Sequence, residues 1–205
     1  DFNFIKDTTA PTITMLFPPA NGSAYNFVTN YPINLSTNEV ANLTINDSKW
    51  TLIQAREGKW FNFTNNTALA DGQYDFKVWA NDTAKNNASI DFNFIKDTTA
   101  PTITMLFPAA NGSAYNFVSN YPINLSTNEL ANLTINDSKW TLIQAREGKW
   151  FNFTNNTVLA DGRYDFKVWA NDTAKNNASI DFNFIKDTVW PAYREYSTNK
   201  TSPET

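Results

Sequence analysis

The segment DFNFIKDT begins at Asp1, returns at Asp91 and returns again at Asp181, so the 205-residue chain carries two full copies of a 90-residue unit. The copies differ at five positions: Pro19/Ala109, Thr29/Ser119, Val40/Leu130, Ala68/Val158 and Gln73/Arg163. A unit of this length exceeds the solenoid repeats that bury a face only against neighbours, and approaches the size of a domain that closes its own core. Each copy is therefore expected to fold as one domain. Asp-Thr-Thr-Ala-Pro at Asp7–Pro11 and Asp97–Pro101 is the expected linker, because proline lacks an N–H donor and biases its predecessor to extended backbone. The expected organisation is residues 1–7 as the final strand of a preceding repeat, 8–97 and 98–187 as two repeats, and 188–205 as the start of a divergent domain or a tail. Pro191 keeps the register of Pro11 and Pro101, and the chain reads as a piece of something longer.

Within each unit apolar residues recur with period two, the pattern of strands buried on one face, and helical spacing is hard to find. Ile13 and Met15, Ile33 and Leu35, Leu43 and Ile45, and Phe61 and Phe63 alternate with polar neighbours, and Lys49–Gln54 adds a further segment. Tyr74, Phe76, Val78 and Ala80 form the longest such run, followed by Ile90, Phe92 and Phe94. Turn residues separate these runs at Pro18 to Gly22, Asn46-Asp47, Glu57-Gly58, Asp71-Gly72 and Asn81 to Asn87. The expected fold class is all-β: tandem immunoglobulin-like β-sandwiches of about seven strands each. Leu69-Ala70-Asp71-Gly72-Gln73-Tyr74 has the form of a tyrosine corner, in which the phenol bonds back to the loop before its strand.

The run from Tyr74 to Asn86, with the opening Asp-Thr-Thr-Ala-Pro at Asp7 and Asp97, resembles the bacterial and archaeal Ig-like (Big-type) repeats of giant adhesins, surface-layer and fibre proteins. The resemblance spans both copies, and Lys85 stands where that family usually has glycine. It implies an extracellular, cell-surface stalk, tether or adhesive fibre whose partners are neighbouring repeats of the same protein.

Composition narrows the chemistry. Histidine and cysteine are absent, which removes the commonest general base, a reactive thiol and any disulfide between sheets. There is no Gly-rich phosphate loop, and no acidic pair whose pKa values the sequence would split, so no enzyme is expected. The net charge is −4 without a basic run, which argues against nucleic acid. No apolar stretch approaches the ~20 residues of a membrane helix, so no membrane contact is expected from this segment.

Asn-X-Ser/Thr occurs eight times per copy, at Asn21, Asn34, Asn42, Asn46, Asn62, Asn65, Asn81 and Asn87, and at Asn111, Asn124, Asn132, Asn136, Asn152, Asn155, Asn171 and Asn177, with Asn199 beyond them. Chance pairing of these residue types gives roughly two per copy. Strands that choose Asn and Thr for their polar positions write part of the excess automatically; N-linked glycans on several of these asparagines are expected, as in archaeal surface proteins. Asn62 and Asn65 would crowd each other.

Topology also suggests a cation site. In a sandwich of this kind the loop between the last two strands lies at the pole where the first strand begins, so Asp7, Glu39, Asp82 and Asn87 are expected to converge, as are Asp97, Glu129, Asp172 and Asn177. Oxygen ligands of this type suit Ca²⁺. The same residues equally serve as turn formers and linker caps. Trp79 and Trp60, the latter on the side of Asn62, are expected to face outward, where aromatics stack on sugars or bury against another subunit. Two alternatives to a stalk follow: a carbohydrate-binding module for surface glycans, and a filament of identical subunits in which Asp1–Asp7 completes a neighbour's sandwich by strand addition.

Overall fold

A computed structural model describes residues 6–27, 29, 31–65, 67–117, 121–155, 157–189 and 191. The first copy forms β1 (Ile13–Phe17), β2 (Ser23–Tyr25), β3 (Pro32–Thr37), β4 (Ala41–Ile45), β5 (Trp50–Arg56), β6 (Trp60–Asn65), β7 (Gly72–Asp82) and β8 (Asn87–Lys96). The second repeats them as β9 (Ile103–Phe107), β10 (Ser113–Tyr115), β11 (Pro122–Thr127), β12 (Ala131–Ile135), β13 (Trp140–Arg146), β14 (Trp150–Asn155), β15 (Gly162–Asp172) and β16 (Asn177–Lys186). Two four-stranded sheets form in each copy, β1-β3-β6-β5 facing β2-β8-β7-β4, then β9-β11-β14-β13 facing β10-β16-β15-β12. Sheet pairing stays within a copy among the described residues. The molecule is thus a tandem of immunoglobulin-like β-sandwiches. The eighth strand of each copy is the three-residue β2 or β10, which runs parallel to β8 or β16; three residues are too few to show alternation.

Alternation decides what is buried. In β7, Phe76, Val78 and Ala80 point inward while Lys77, Trp79 and Asn81 point outward, and in β3 Ile33 and Leu35 point inward between polar neighbours. The two inner faces meet in one apolar core per copy. With no disulfide to pin the sheets, aromatic rings span the gap. Tyr31 stacks on Phe94 with ring centroids 3.9 Å apart, and Trp50 of β5 meets Phe76 of β7 edge-on at 4.5 Å. Trp50 and Tyr31 are core residues that a reading of alternating pairs leaves out, because each stands at the margin of a run and not within it.

The tyrosine corner forms as expected. The Tyr74 hydroxyl donates to the Ala70 carbonyl at 2.8 Å, and Tyr164 does the same to Ala160. Two edges of the sandwich are interrupted: β1 carries a bulge between Met15 and Phe17, and β5 another between Leu52 and Gln54. Such irregularities spoil the flat row of donors and acceptors that an unpaired edge offers to a foreign strand.

Lys6 and Asp7 are the described part of the 1–7 segment, and Thr188, Val189 and Pro191 the described part of 188–205. The expected strand over 1–5 and the sequon at Asn199 lie outside the described residues.

Removing the corner bond alone, by Tyr74→Phe, is expected to cost the first sandwich about 1 kcal/mol. Phe94→Ala, which empties the middle of the aromatic stack, should cost about 4 kcal/mol. Urea unfolding followed by tryptophan emission measures both, and the second sandwich is expected to keep its own transition.

Candidate functional site

The densest polar organisation lies where the two sandwiches join. Asp97 follows β8 directly and begins the linker. Its N–H donates to the Tyr25 carbonyl of the first sandwich at 2.9 Å, while its own carbonyl accepts from Asn176 Nδ2 of the second at 3.0 Å. One residue is therefore bonded to both bodies. On the upstream side Asp71, in the turn before β7, accepts from Lys96 Nζ at 2.8 Å, from the Thr98 N–H at 2.9 Å, from the Thr98 hydroxyl at 2.8 Å and from the Thr99 hydroxyl at 3.3 Å. On the downstream side the Thr102 N–H donates to Asn128 Oδ1 at 2.6 Å, fixing the approach to β9. The same clamp recurs at the far end, where Asp161 holds Lys186 Nζ at 2.9 Å and the Thr188 N–H at 3.0 Å. Asp71 and Asp161 read in sequence as ordinary turn formers; no local pattern marks them, because their partners come from 25 to 28 residues on.

Electrostatics follow the bonds. The Lys96 ammonium and the Thr98 backbone and hydroxyl donors hold the Asp71 carboxyl far below the usual carboxylate range. Asp161 is lowered to about 2 by the equivalent bonds from Lys186 and Thr188.

The acidic residues read from sequence converge in part. Carboxylate oxygens of Asp7, Glu39 and Asp82 lie within 4.8 Å of one another, and so do those of Asp97, Glu129 and Asp172. Asp82 and Asp172 are buried. Asn87 and Asn177 take a different position: each is exposed and donates its amide to the carbonyl of Lys85 or Lys175. Asn86 stands in the place expected for Asn87, its amide nitrogen donating to Asp82 Oδ2 at 2.8 Å and to the Asp7 carbonyl at 3.3 Å. The shift by one residue has a simple cause. Asn87 opens β8 opposite Asn81 on the outward face, and period two then turns Asn86 toward the cluster. Lys85, where the resembling family has glycine, keeps the left-handed backbone with φ 74°, as does Lys175, at a cost of roughly 1 kcal/mol.

Burial pushes the Asp82 carboxyl up, but bonds from the Asn86 amide and from the N–H groups of Asn86, Ala84 and Lys85 outweigh it, and the net direction is down. Glu129 goes the other way: burial, then the Asp97 and Asp172 charges, push its carboxyl up, with Lys149 opposing. Its Oε1 is buried without a hydrogen-bond partner among the described residues. Three converging carboxylates, one carrying an orphaned oxygen and raised by its neighbours, are the donor set that a hard divalent cation neutralises. The Asp residues also act as local caps, Asp7 Oδ1 accepting the Thr9 N–H and Asp97 Oδ1 that of Thr99, each at 3.0 Å.

The sequons divide by environment. Asn65 and Asn155 are buried; their Oδ1 atoms accept the Tyr31 and Tyr121 N–H groups, and their amide nitrogens donate to the Thr67 and Thr157 carbonyls. At these two expected glycosylation positions both ends of the amide are in use inside the fold. Asn21, Asn42, Asn46, Asn81 and Asn87 are exposed, with Asn111, Asn132, Asn136, Asn171 and Asn177 after them. Asn34 and Asn62 are half-buried and directly opposed across β3 and β6, as are Asn124 and Asn152 across β11 and β14. Beside them Leu16, Gln54, Arg56 and Trp60 line a groove of about 260 Å³, and an equivalent of about 240 Å³ recurs in the second copy around Arg146 and Trp150.

No protein-family model and no curated protein matches the sequence. Among solved structures the chain is similar to titin Ig tandem domains at 9% identity, over 87% of this chain and 97% of that one, with a TM-score of 0.33. It is similar to the extracellular cadherin domains 3–6 of protocadherin gamma B2 at 9% identity, over 84% of this chain and 47% of that one, with a TM-score of 0.36. It is also similar to the human desmocollin-1 ectodomain at 12% identity, over 93% and 39%, with a TM-score of 0.33. The chain thus spans less than half of the protocadherin and desmocollin-1 structures. The sandwich rests on its own strand pairing and not on these likenesses.

The depressed clamp carboxyls set a pH window. A lowered folded pKa contributes stability that is complete above the unfolded value and lost as pH falls through the folded one. The clamp at Asp161 should therefore stay closed down to its ordinary value of 3.8 and open as pH falls through about 2. The amide shift of Thr188, followed by NMR during acid titration, is expected to report that midpoint.

Proposed function

We propose that the chain is a structural spacer: a run of extracellular Ig-like repeats, bounded at 8–97 and 98–187, that extends a cell-surface stalk, tether or fibre. The observation that supports this best is the linker held at both ends, with Asp71 gripping Thr98 from one sandwich and Asn176 and Asn128 gripping Asp97 and Thr102 from the next. A linker bonded to both neighbours limits bending, so repeats in series add length instead of coiling. Each strand of 10–11 residues contributes about 35 Å of reach, and near-identical copies multiply it.

Ca²⁺ at the two three-carboxylate clusters belongs to the same reading. Asp97, Glu129 and Asp172 would hold it, and the ion would relieve the repulsion that raises Glu129. Because Asp97 is also the residue bonded to both sandwiches, the ion would stiffen the junction itself. No helix among the described residues is long and apolar enough to cross a membrane.

Strand donation between subunits is the weaker alternative. Within the described residues β8 and β16 complete their own sandwiches in cis, and two edges carry bulges. Attachment to foreign sugars draws on the Trp60 and Trp150 grooves, where two copies would add avidity.

Pulling the chain by its ends should give two unfolding events of similar force, each releasing on the order of 250 Å of extended chain. A single event, or refolding only when a peptide of residues 1–7 is added, would remove the spacer reading. In thermal melts, millimolar Ca²⁺ is expected to raise the midpoint relative to chelator, and Glu129→Gln with Glu39→Gln to abolish the difference. Equal midpoints in the parent chain would discard the ion and leave the spacer intact.

A further inference from the structure

The exposed tryptophans stand in a fixed relation to the sequons. Each copy has three tryptophans. Trp50 is buried and has Leu52 two residues on; Trp60 and Trp79 are 52% and 38% exposed, and each stands two residues before a sequon asparagine, Asn62 and Asn81. The second copy repeats this with Trp150 before Asn152 and Trp169 before Asn171. Residues two apart on a strand share a face, about 6.6 Å from each other along it. Every outward indole of the repeat therefore lies beside a potential attachment point.

Of the two pairs in each copy, the one on β7 is open. Asn62 has its Oδ1 buried and faces Asn34 directly, whereas Asn81 is exposed and makes no side-chain hydrogen bond among the described residues. Across β4, β7 and β8 the register places Asn42, Asn81 and Asn87 in one row, and Thr44, Trp79 and Ser89 in the next. All three asparagines are sequons, yet directly opposed side chains have Cβ atoms only about 5 Å apart, too close for glycans on neighbours. A sugar chain on the central asparagine therefore excludes chains on both of its neighbours. Asn81 is that central residue, and the Asn87 amide is already given to Lys85. Lys77, two residues before Trp79, sets its ammonium 6.0 Å from the indole centroid and is itself drawn to Asp91 at 3.5 Å. That leaves the Asn81 side of the ring for a ligand. A pyranose offers the matching surface, a face of polarised C–H groups against the negative face of the indole.

We propose that Asn81 and Asn171 are the glycosylated positions of this face, and that Trp79 and Trp169 are platforms on which the first sugar of the chain's own glycan packs. The transfer joins Asn81 Nδ2 to the anomeric carbon of a lipid-phosphate-linked oligosaccharide. The C–O bond to phosphate breaks, the lipid phosphate leaves with the electron pair, and one amide proton passes to a base of the transferase. Trp79 and Trp169 are then covered by the molecule itself and are not free for foreign sugars, whereas the Trp60 and Trp150 grooves stay open. This rests on the extracellular reading above and is independent of the mechanical one.

The test compares the full chain secreted from a yeast that performs N-glycosylation with the same chain from bacterial cytosol, using glycopeptide mass spectrometry and thermal melts. Occupied Asn81 and Asn171 are expected, with Asn42, Asn87, Asn132 and Asn177 bare on the same molecules. The glycosylated chain should melt about 4 °C higher, and Trp79→Ala with Trp169→Ala should leave occupancy in place while removing that difference. Bare Asn81 and Asn171, sugar at Asn42 or Asn87 instead, or a melting difference that survives the tryptophan substitutions overturns the proposal. The two-event force trace of the bacterial material tests the spacer separately.

Discussion

Asp97 is asked to do three things at once. Its N–H closes the last strand of one sandwich against Tyr25, its carbonyl takes a bond from Asn176 of the next, and its carboxylate joins Glu129 and Asp172. A residue bonded through both its N–H and its carbonyl has little freedom left in the two peptide units that flank it, so the angle between sandwiches is set within a few residues of linker. Moving the chain at Asp97 would disturb both bodies. That shared residue is why length can be added by copying a whole unit: each copy brings the next junction with it.

The two kinds of carboxylate at the junction show how local donors decide charge. Asp71 and Asp161 are surrounded by N–H, hydroxyl and ammonium donors and stay ionised well below the usual range. Glu129 meets two carboxylates and buried surface and is pushed up. The clamp is thus satisfied by protein groups alone, while the acidic cluster is left with unbalanced charge and an orphaned oxygen. One holds the linker by hydrogen bonds already made; the other is the place where the proposed ion would act.

The sandwich was legible because one face of each long strand is buried, and burial writes itself as alternation. Phe76, Val78, Ala80, Phe92 and Phe94 are in the core where period two puts them. Tyr74 was legible for a different reason, since the corner is closed by a carbonyl only four residues back. What escaped was decided over longer distances or by single residues. The strand Ser23–Tyr25 is too short to show a period, Trp50 enters the core from the start of a strand whose other residues are exposed, and Asp71 finds its partners at the end of the neighbouring strand β8 and in the linker beyond it. Asn86 and Asn87 are adjacent, of one type, and separated only by which face the pleat gives them. Topology could place the loop at the right pole, but not choose between them. The sequons look alike in sequence, and only burial sets Asn65 and Asn155 apart from the rest.

The five differences between the copies fall where this account allows them. The described members of each pair are exposed, and none is itself a member of the clamp or of the acidic cluster. Gln73/Arg163 is the most telling. Gln73 donates its amide to Asp75 at 2.8 Å, and Arg163 reaches the equivalent Asp165 at 2.8 Å with its guanidinium, so a different side chain meets the same acceptor on the same strand. Val40/Leu130 sits above a glycine in the left-handed region, Gly58 or Gly148, where a Cβ would meet that very side chain at 2.8 or 3.2 Å. The glycine absorbs the change in size. Variation is confined to positions whose partners tolerate it, while Asp71, Lys96 and Thr98 of the clamp recur as Asp161, Lys186 and Thr188.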